Sequence, residues 1–448
     1  MTRSRTVLKT VLKLTILIVI LTAVVIIAGR EFPNYAVRMA FFSVLLLIDI
    51  LYWPAFYKLF SKDSLFSRLV TGIIYCAPFA LLVSFVVAAA LLPINSWLPF
   101  FRIYLPGSLI VLFIGKILLI VFMLIGDLVL LPVNISEYLR CRRLGTAFNW
   151  SRSKLLLNIV LVFSTMVMAL FITGMFHWVY DFRVKNVIIS MDDLPPSFSG
   201  MTIVQISDIH LGSWRSPQTL EKAVKLINDQ NPDLIVFTGD MVNFSSAEAY
   251  PFASVLRKLH APLGIYAVKG NHDYGDYISW KTPADKDKNI RDLNAFYKSI
   301  GWKLLDNSHQ VLARGYDSIV LAGVENWSIS KLYGKRGNLK KALKGVEHIR
   351  FKILLSHDPT HWDAEVRWTY PGIDLTLSGH THAMQMGCET DNFRWSPAQW
   401  KFTEWAGLYE QNSAHEEYLY VNRGLGHIGY PGRIGIRPEI TVIQLVRG

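Results

Sequence analysis

The chain has 448 residues, of which 52% are hydrophobic, and its net charge is +12. That length allows two or three domains, and that much apolar sequence excludes a purely soluble enzyme. The charge is uneven: residues 1–180 carry 16 Lys/Arg against 5 Asp/Glu, and residues 181–448 carry 30 against 29. The basic excess therefore belongs to the apolar part, which indicates loops beside membrane spans and argues against a nucleic-acid partner.

Residues 1–180 are predicted to form an all-α membrane domain. Five apolar stretches each come close to the roughly 20 residues that a spanning helix needs. They lie at about 11–28, 37–57, 69–92, 108–131 and 155–176. No clear small-x-small cleavage site follows the first stretch, so it is predicted to be a retained signal anchor.

The loops between these stretches predict the orientation. Twelve Lys/Arg fall in the N-terminus and in the second-to-third and fourth-to-fifth loops, and three fall in the alternate loops. Positive loops stay in the cytoplasm, so the N-terminus is predicted to be cytoplasmic. With five spans, the C-terminal part of the chain then lies outside the cytoplasm.

Three ionisable residues fall within the predicted spans: Asp49, Lys116 and Asp127. Lys116 and Asp127 are eleven residues apart, which places them on nearly the same helix face. Charges inside a membrane are costly and often functional. Two interpretations stay open. These residues either form a helix-packing seam or line a route for a lipid phosphate or a transported solute.

The second half alternates between strand and helix patterns. A linker is predicted over 181–200, where alternation at 184–190 favours an edge strand, and a layered α/β domain with flanking helices is predicted over 201–448. Strands are predicted at 202–207, 233–238, 263–269, 351–355, 373–378, 417–422 and 439–446, with short strands through 302–323. Helices are predicted at 217–230, about 247–259 and 289–299.

Polar residues follow several of these strands directly. The runs are Asp208-Ile-His210, Gly239-Asp240, Gly270-Asn-His-Asp273, Ser356-His357-Asp358 and Gly379-His-Thr-His382. A strand that delivers a carboxylate and an imidazole at its tip suits a metal site. One histidine at a strand end is more often structural, but five such runs after apolar stretches favour a shared metal centre.

This series, in this order, resembles the calcineurin-like metallophosphoesterases, in particular their membrane-anchored bacterial branch. The resemblance covers about residues 200–448 and implies two divalent metal ions. It implies that one ion is held by Asp208, His210 and His382, the other by Asn271, His357 and His380, and that Asp240 bridges the two. A mixed imidazole, carboxylate and amide set suits Mn, Fe or Zn better than Ca.

The resemblance also implies metal-assisted hydrolysis, with in-line attack on phosphorus. Asp240 and His272 are the catalytic residues that it implies, with His272 as the general acid or as a donor to the phosphoryl group. Many relatives have an Asp three residues after the bridging Asp, which orients this histidine. Here that position is Asn243, whose amide could hydrogen-bond the imidazole but could not stabilise its charge.

The sequence thus predicts a membrane-anchored phosphoesterase of the bacterial inner membrane. Its predicted substrate is a phosphate ester or pyrophosphate outside the cytoplasm, for example a lipid or a cell-envelope intermediate. Its predicted partner is the lipid bilayer. Two alternatives stay open: a transporter regulated by its outer domain, and a non-catalytic sensor or scaffold.

Two further segments have open interpretations. His427 and Arg433 either line the pocket or pack the loops of the tail. The aromatic insertion at 387–409 either docks on the bilayer or forms a lid packed on the domain's own core.

Overall fold

The computed structural model describes residues 97–148, 154–390, 393–412 and 416–448, with scattered positions between 15 and 92. The chain divides into two compact units, Met1–Thr173 and Gly174–Gly448. The first two predicted spans, together with Asp49, lie wholly or largely outside the described residues, and the third is described only in part. The division into 1–180, 181–200 and 201–448 stays a prediction.

Three helices account for most of the described N-terminal part: α1 (Pro99–Val129), α2 (Leu131–Leu144) and α3 (Lys154–Phe176). Two segments are long and apolar enough to cross a membrane, α1 and Asn158–Tyr180, which comprises most of α3 and the turn after it. The described residues therefore support two candidate spans, not five. Helix α1 begins nine residues before the predicted 108, because a proline in the first helical turn loses no intrahelical hydrogen bond.

The second unit contains two six-stranded mixed sheets and a hairpin. The first sheet has the order β1-β14-β2-β3-β4-β5, the second has the order β12-β13-β9-β8-β7-β6, and β10 pairs with β11. The strands are β1 (Arg183–Met191), β2 (Thr202–Ile206), β3 (Leu234–Phe237), β4 (Ile265–Ala267), β5 (Lys303–Leu304), β6 (Ser308–Arg314), β7 (Asp317–Gly323), β8 (Lys352–Leu355), β9 (Leu375–Ser378), β10 (Cys388–Thr390), β11 (Phe393–Trp395), β12 (Gly407–Asn412), β13 (Glu416–Val421) and β14 (Glu439–Arg447). The helices are α4 (Pro217–Asn228), α5 (Ala253–Leu256), α6 (Pro283–Ser299), α7 (Leu339–Ala342) and α8 (Arg367–Thr369).

The core has three layers of apolar contacts. Successive residues of a strand face opposite sides of its sheet, so Ile203 of β2 packs between the two sheets, whereas Val204 and Ile206 pack with α4 and α6. In the second sheet, Leu354 faces outward with α7, and Ile353 faces the first sheet. This arrangement of two sheets between helical layers confirms the predicted α/β architecture.

Two elements differ from the predicted ones, and a third, an edge strand, is present. Helix α6 begins at Pro283 rather than near 289, because Thr282 caps it and forms a capping box with Asp285. The helix predicted at 247–259 is reduced to two short 3-10 turns and α5, since Pro251 cannot lie inside an α-helix without loss of a hydrogen bond. The edge strand favoured at 184–190 is present as β1, which lies at the edge of the first sheet and pairs in parallel with β14 over nine positions.

Candidate metal centre

The predicted site residues come from loops directly after parallel strands of both sheets. Asp208 and His210 follow β2, Asp240 follows β3, His357 follows β8, and His380 follows β9. Parallel strands end at one edge of their sheet, where binding crevices form in α/β proteins. Backbone bonds tie these loops together: the amide of Asp208 donates to the carbonyl of Gly239 at 2.8 Å, and the amide of His210 to that of Asp240 at 3.0 Å.

The backbone is strained at this edge. Five predicted site residues have a left-handed φ between 48° and 71°, namely Asp208, His210, Asp240, His380 and His382. That conformation is uncommon for residues other than glycine and costs of the order of 1–3 kcal/mol each. Strain of this kind clusters at functional sites, where the surrounding structure holds it in place.

The first group of side chains consists of Asp208, His210 and His382. Nε2 of His382 lies 3.2 Å from Oδ1 of Asp208 and 3.1 Å from Nε2 of His210. Burial lowers the pKa of His210 well below its ordinary value, so this ring is neutral. Burial opposes the charge of Asp208, but the neighbouring His382 keeps the pKa of that carboxyl below its ordinary value. A carboxylate and two imidazole nitrogens that converge on one point suit a divalent cation.

The second group consists of Asp240, His357, His380 and Asn271. Nε2 of His357 lies 3.2 Å from Nδ1 of His380 and 3.2 Å from Oδ1 of Asn271. The other nitrogen, Nδ1 of His357, donates to the carbonyl of Thr238 at 2.7 Å, which leaves the Nε2 lone pair for a ligand. Burial opposes protonation of His357, yet Asp240 raises its pKa to about 10. A bound cation would compete for the same nitrogen, because metal ligands must be deprotonated.

Asp240 faces both groups with a single oxygen. Its Oδ2 lies 3.2 Å from Nε2 of His357 and 3.6 Å from Nε2 of His210. Its Oδ1 accepts the amide of His272 at 2.8 Å, which fixes the orientation of the carboxylate. A carboxylate that two ligand groups share is what a pair of neighbouring metal ions requires.

The residues of both groups fit two metal ions. Among the described residues, Asp208, His210 and His382 bring their ligand atoms within 4.8 Å of one another, and so do Asp240, His357 and His380. All but His380 are buried, and buried carboxylates and imidazoles need a compensating partner. The donor set does not select one metal among Mn, Fe and Zn.

His272 lies beside both groups but is held differently from the expected arrangement. Its Nδ1 donates to the backbone carbonyl of Asn243 at 2.8 Å, and its ring stacks on Tyr277 with 4.2 Å between centroids. The expected bond to the Asn243 side chain does not form, and Oδ1 of that amide has no hydrogen-bond partner within the described chain. Burial lowers the pKa of His272.

Two supporting residues escaped the sequence analysis. Asp273 accepts four backbone amides, from Asp240, Met241, Val242 and Gly270, at 2.8–3.2 Å, and so joins the loop after β3 to the loop after β4. Its position in the Asn-His-Asp run was a usable signal. Tyr277 accepts the Asn271 amide at 2.6 Å through its hydroxyl. It lies beyond the motif in an irregular segment, where the sequence gives no signal.

Arg433 packs in the loops of the tail, and His427 is buried. Arg433 is fully buried, and its Nη2 donates to the carbonyls of Arg423, Gly424 and Gly426 at 2.6–2.9 Å. Arg433 therefore braces the loop after β13. Burial lowers the pKa of His427 to about 3, so this ring is neutral.

The aromatic insertion is partly buried and partly exposed. Phe402 and Trp405 are buried, and the ring of Phe402 lies 5.6 Å from that of His380, centroid to centroid. Phe393 and Trp400 are exposed. One side of the insertion thus packs on the domain, and the other side is free to contact a partner.

The fold and the paired ligand groups define a metal-dependent phosphoesterase. Residues 201–384 match the calcineurin-like phosphoesterase family, and the chain belongs to this family of metal-dependent hydrolases. It is 34% identical over 258 residues to the uncharacterised metallophosphoesterase YkuE of Bacillus subtilis, a match that covers 56% of this chain and 81% of that protein.

Two other relatives bear on the setting of the enzyme. A transmembrane protein with metallophosphoesterase domain from Danio rerio is 32% identical over 342 residues, which cover 73% of each chain. The UDP-2,3-diacylglucosamine pyrophosphatase LpxG of Chlamydia muridarum is 29% identical over 294 residues, covering 56% of this chain and 86% of that protein.

Proposed function

We propose that the chain is a membrane-tethered phosphoesterase of the bacterial inner membrane that hydrolyses a lipid-linked phosphate ester or pyrophosphate outside the cytoplasm. The observation that carries the proposal is the single oxygen of Asp240 that faces both ligand groups. The two candidate spans support tethering. The similarity to a pyrophosphatase of UDP-2,3-diacylglucosamine supports a lipid-linked substrate.

In this proposal residues 1–180 form the membrane domain and residues 201–448 the hydrolytic domain. Asp208, His210 and His382 hold one divalent cation, and His357, His380 and Asn271 hold the other, with Asp240 shared between them. When bound, the two cations supply Lewis-acid stabilisation of the negative charge that develops on the phosphoryl oxygens.

His272 supplies the proton for the leaving group. Its Nδ1 is committed to the carbonyl of Asn243, so Nε2 is the nitrogen that exchanges protons with the substrate. In its acid form His272 is an imidazolium with a second proton on Nε2. Water attacks phosphorus, the bond from phosphorus to the leaving oxygen breaks, that oxygen takes the proton from Nε2, and the proton released by the attacking water restores the imidazolium. Burial lowers the pKa of His272, which makes the imidazolium a stronger acid toward the leaving oxygen and favours the neutral ring once the proton is gone.

The proposal is tested with the full-length protein in detergent. We would measure bound metal by elemental analysis, and hydrolysis of p-nitrophenyl phosphate, bis-p-nitrophenyl phosphate and UDP-2,3-diacylglucosamine. Chelation should abolish turnover, and Mn, Fe or Zn should restore it. Asp240→Asn should lose metal and lower turnover by at least about 10²-fold, because it removes a charge shared by both groups.

Asp374→Asn is the matched control. Asp374 is also buried, but it immediately precedes β9, at the edge of the sheet opposite the ligands, where its Oδ2 accepts the amide of Lys352 at 2.7 Å. An asparagine keeps that acceptor, so metal content and turnover should stay within about threefold of the parent. A folded parent that binds no metal, or that hydrolyses none of the three esters with any metal, would contradict the proposed function.

A further inference from the structure

Two segments of the hydrolytic domain meet beside His380. They are the loop 327–335 and the turn 396–402, which together we call the rim. Nζ of Lys401 donates to the hydroxyl of Tyr333 at 2.7 Å and so joins the two segments. The sequence separates them by more than sixty residues, and this hydrogen bond makes them one surface.

The rim is continuous with the second ligand group. The ring of Tyr333 lies 4.8 Å from the ring of His380, centroid to centroid, and Phe402 contacts the same imidazole. Nζ of Lys401 lies 4.8 Å from the ring centroids of both Tyr333 and Phe402. A substrate bound at His380 would therefore meet the rim directly.

Large apolar side chains are exposed on both segments. Leu332 is 81% exposed and Trp400 is 77% exposed, and each directly precedes a member of the Lys401–Tyr333 pair in sequence. The loop that carries Leu332 is closed by hydrogen bonds: Asn326 donates to the carbonyl of Tyr333, and Arg336 donates to the carbonyl of Asn326 at 2.8 Å. Leu332 is therefore exposed in a loop whose conformation is fixed by hydrogen bonds. Exposed apolar groups beside a binding site mark a contact surface.

The charge of the rim is basic. The two segments contain Lys331, Lys335 and Lys401 and no Asp or Glu. Of these, Lys335 lies over the ring of Trp327, 4.2 Å from its centroid, and Lys401 lies against the two rings that contact His380. Lysine binds phosphate as a point charge, and tryptophan favours the boundary between apolar and polar surroundings. Cationic and apolar groups side by side match a ligand that carries both phosphate and acyl chains.

We infer that the rim binds the lipid-linked substrate, with Lys401 and Tyr333 at its phosphate group and Leu332 and Trp400 at its acyl part. This inference rests on the proposed function and adds the residues that select a lipid-linked ester over a water-soluble one. It also accounts for the exposed half of the aromatic insertion.

The test compares two substrates in mixed detergent micelles with the full-length protein. One is UDP-2,3-diacylglucosamine, and the other is water-soluble bis-p-nitrophenyl phosphate. The double variant Leu332→Ser/Trp400→Ser should raise KM for the lipid-linked substrate about tenfold or more, through lost apolar contact, with kcat nearly unchanged. Lys401→Gln should raise the same KM by about fivefold. The Leu332→Ser/Trp400→Ser variant should keep kcat/KM for the soluble ester within about twofold, because that ester has no acyl chains. Lys401→Gln should lower kcat/KM for both substrates, because both carry a phosphate group.

Tyr316→Ser is the matched control for exposure. Tyr316 is a fully exposed aromatic residue in the turn between β6 and β7, and that turn lies at the edge of the sheet opposite the ligands. This variant should leave kcat and KM unchanged for both substrates. Equal losses on both substrates in the Leu332→Ser/Trp400→Ser variant, or no loss on the lipid-linked substrate in either rim variant, would overturn the inference and leave the proposed function in place. A parent that cleaves only the soluble ester would overturn it as well, and a parent that cleaves neither would contradict the proposed function itself.

Discussion

The two ligand groups are supported in different ways. The first group is enclosed by backbone: a Cβ on Gly424 would lie 2.7 Å from Cβ of Asp208, and one on Gly379 would lie 2.4 Å from Oδ2 of the same residue. The amide of His380 donates to both oxygens of Asp208, at 3.2 and 3.0 Å. No residue other than glycine fits at these two positions without displacing the carboxylate of Asp208.

The second group has a glycine enclosure as well, since a Cβ on Gly239 would lie 2.7 Å from Nδ1 of His357, but side chains support it in addition. Tyr277 holds Asn271, Asp358 lies 3.6 Å from Nε2 of His380, and Tyr333 and Phe402 pack against the His380 ring. Side chains can be exchanged without a change of backbone path. We therefore expect these additional side-chain supports to make the second group the part of the centre where substitutions tune metal affinity and substrate choice.

The largest effect that would sharpen this contrast is expected from Gly424→Ala. Gly424 has φ of +75°, and its new methyl group would meet Asp208 and the ring of His382. Displacement of a ligand by even 1 Å can cost about 10²-fold in rate. We expect kcat/KM for the soluble ester to fall by at least about 10²-fold, with one of the two metal ions lost, as elemental analysis would detect.

Gly429→Ala separates this contact from backbone strain. Gly429 lies in the same region with nearly the same φ, +73°, but a Cβ there has nothing within 4 Å. An alanine at either position pays a left-handed backbone penalty of about 1–2 kcal/mol. Gly429→Ala should therefore lower thermal stability with activity kept within about threefold. If both variants lost activity equally, the backbone enclosure of the first group would be irrelevant to catalysis.

The fold was predictable where local pattern decides structure. Runs of apolar β-branched residues predicted β2, β3, β8 and β9 to within a residue or two, because buried strands leave little freedom of register. The prediction of one helix over 247–259 is wrong because Pro251 interrupts the segment. The early start of α6 was missed because a capping pair, Thr282 and Asp285, outweighs weak apolar periodicity.

The candidate site was readable only in part, for a different reason. Ligand types and their order stand in the sequence next to strand ends, so candidates could be named there. Their supports depend on tertiary contacts: the phenol of Tyr277 and the backbone carbonyl of Asn243 carry no sequence signal of their roles. In the sequence the rim is marked only by its aromatic residues, because the hydrogen bond between Lys401 and Tyr333 joins segments that are distant along the chain.

A smaller effect, on the second group alone, is expected from Tyr277→Phe. The phenylalanine keeps the ring that stacks on His272 and removes the hydroxyl that accepts the Asn271 amide. Loss of a residue that orients a ligand typically weakens metal binding 10- to 100-fold. We expect about tenfold more metal to be needed for half-maximal activity, with kcat largely recovered at saturating metal.

Tyr274→Phe is its control. This hydroxyl is buried in the same turn, donates to Glu325 at 3.2 Å and accepts the amide of Asn326 at 3.3 Å, without contact to a ligand. Its loss should lower thermal stability by about 1 kcal/mol and leave the metal dependence unchanged. An identical metal dependence in Tyr277→Phe and the parent would show that side-chain support does not tune the second group.

The smallest effect is expected from Asn243→Ala. This variant tests whether His272, unlike the ligands of the second group, is held by the backbone and not by a side chain. The resemblance to the family pointed to the side chain at this position, yet the structure gives the imidazole of His272 a backbone carbonyl at 2.8 Å. Alanine keeps that carbonyl, so kcat/KM for bis-p-nitrophenyl phosphate should stay within about threefold of the parent, whereas His272→Ala should lower it by about 10²-fold or more. If Asn243→Ala were as damaging as His272→Ala, the amide itself would have to orient the histidine during turnover. A small effect would instead mean that the backbone after β3 orients His272, as the backbone also encloses the first ligand group.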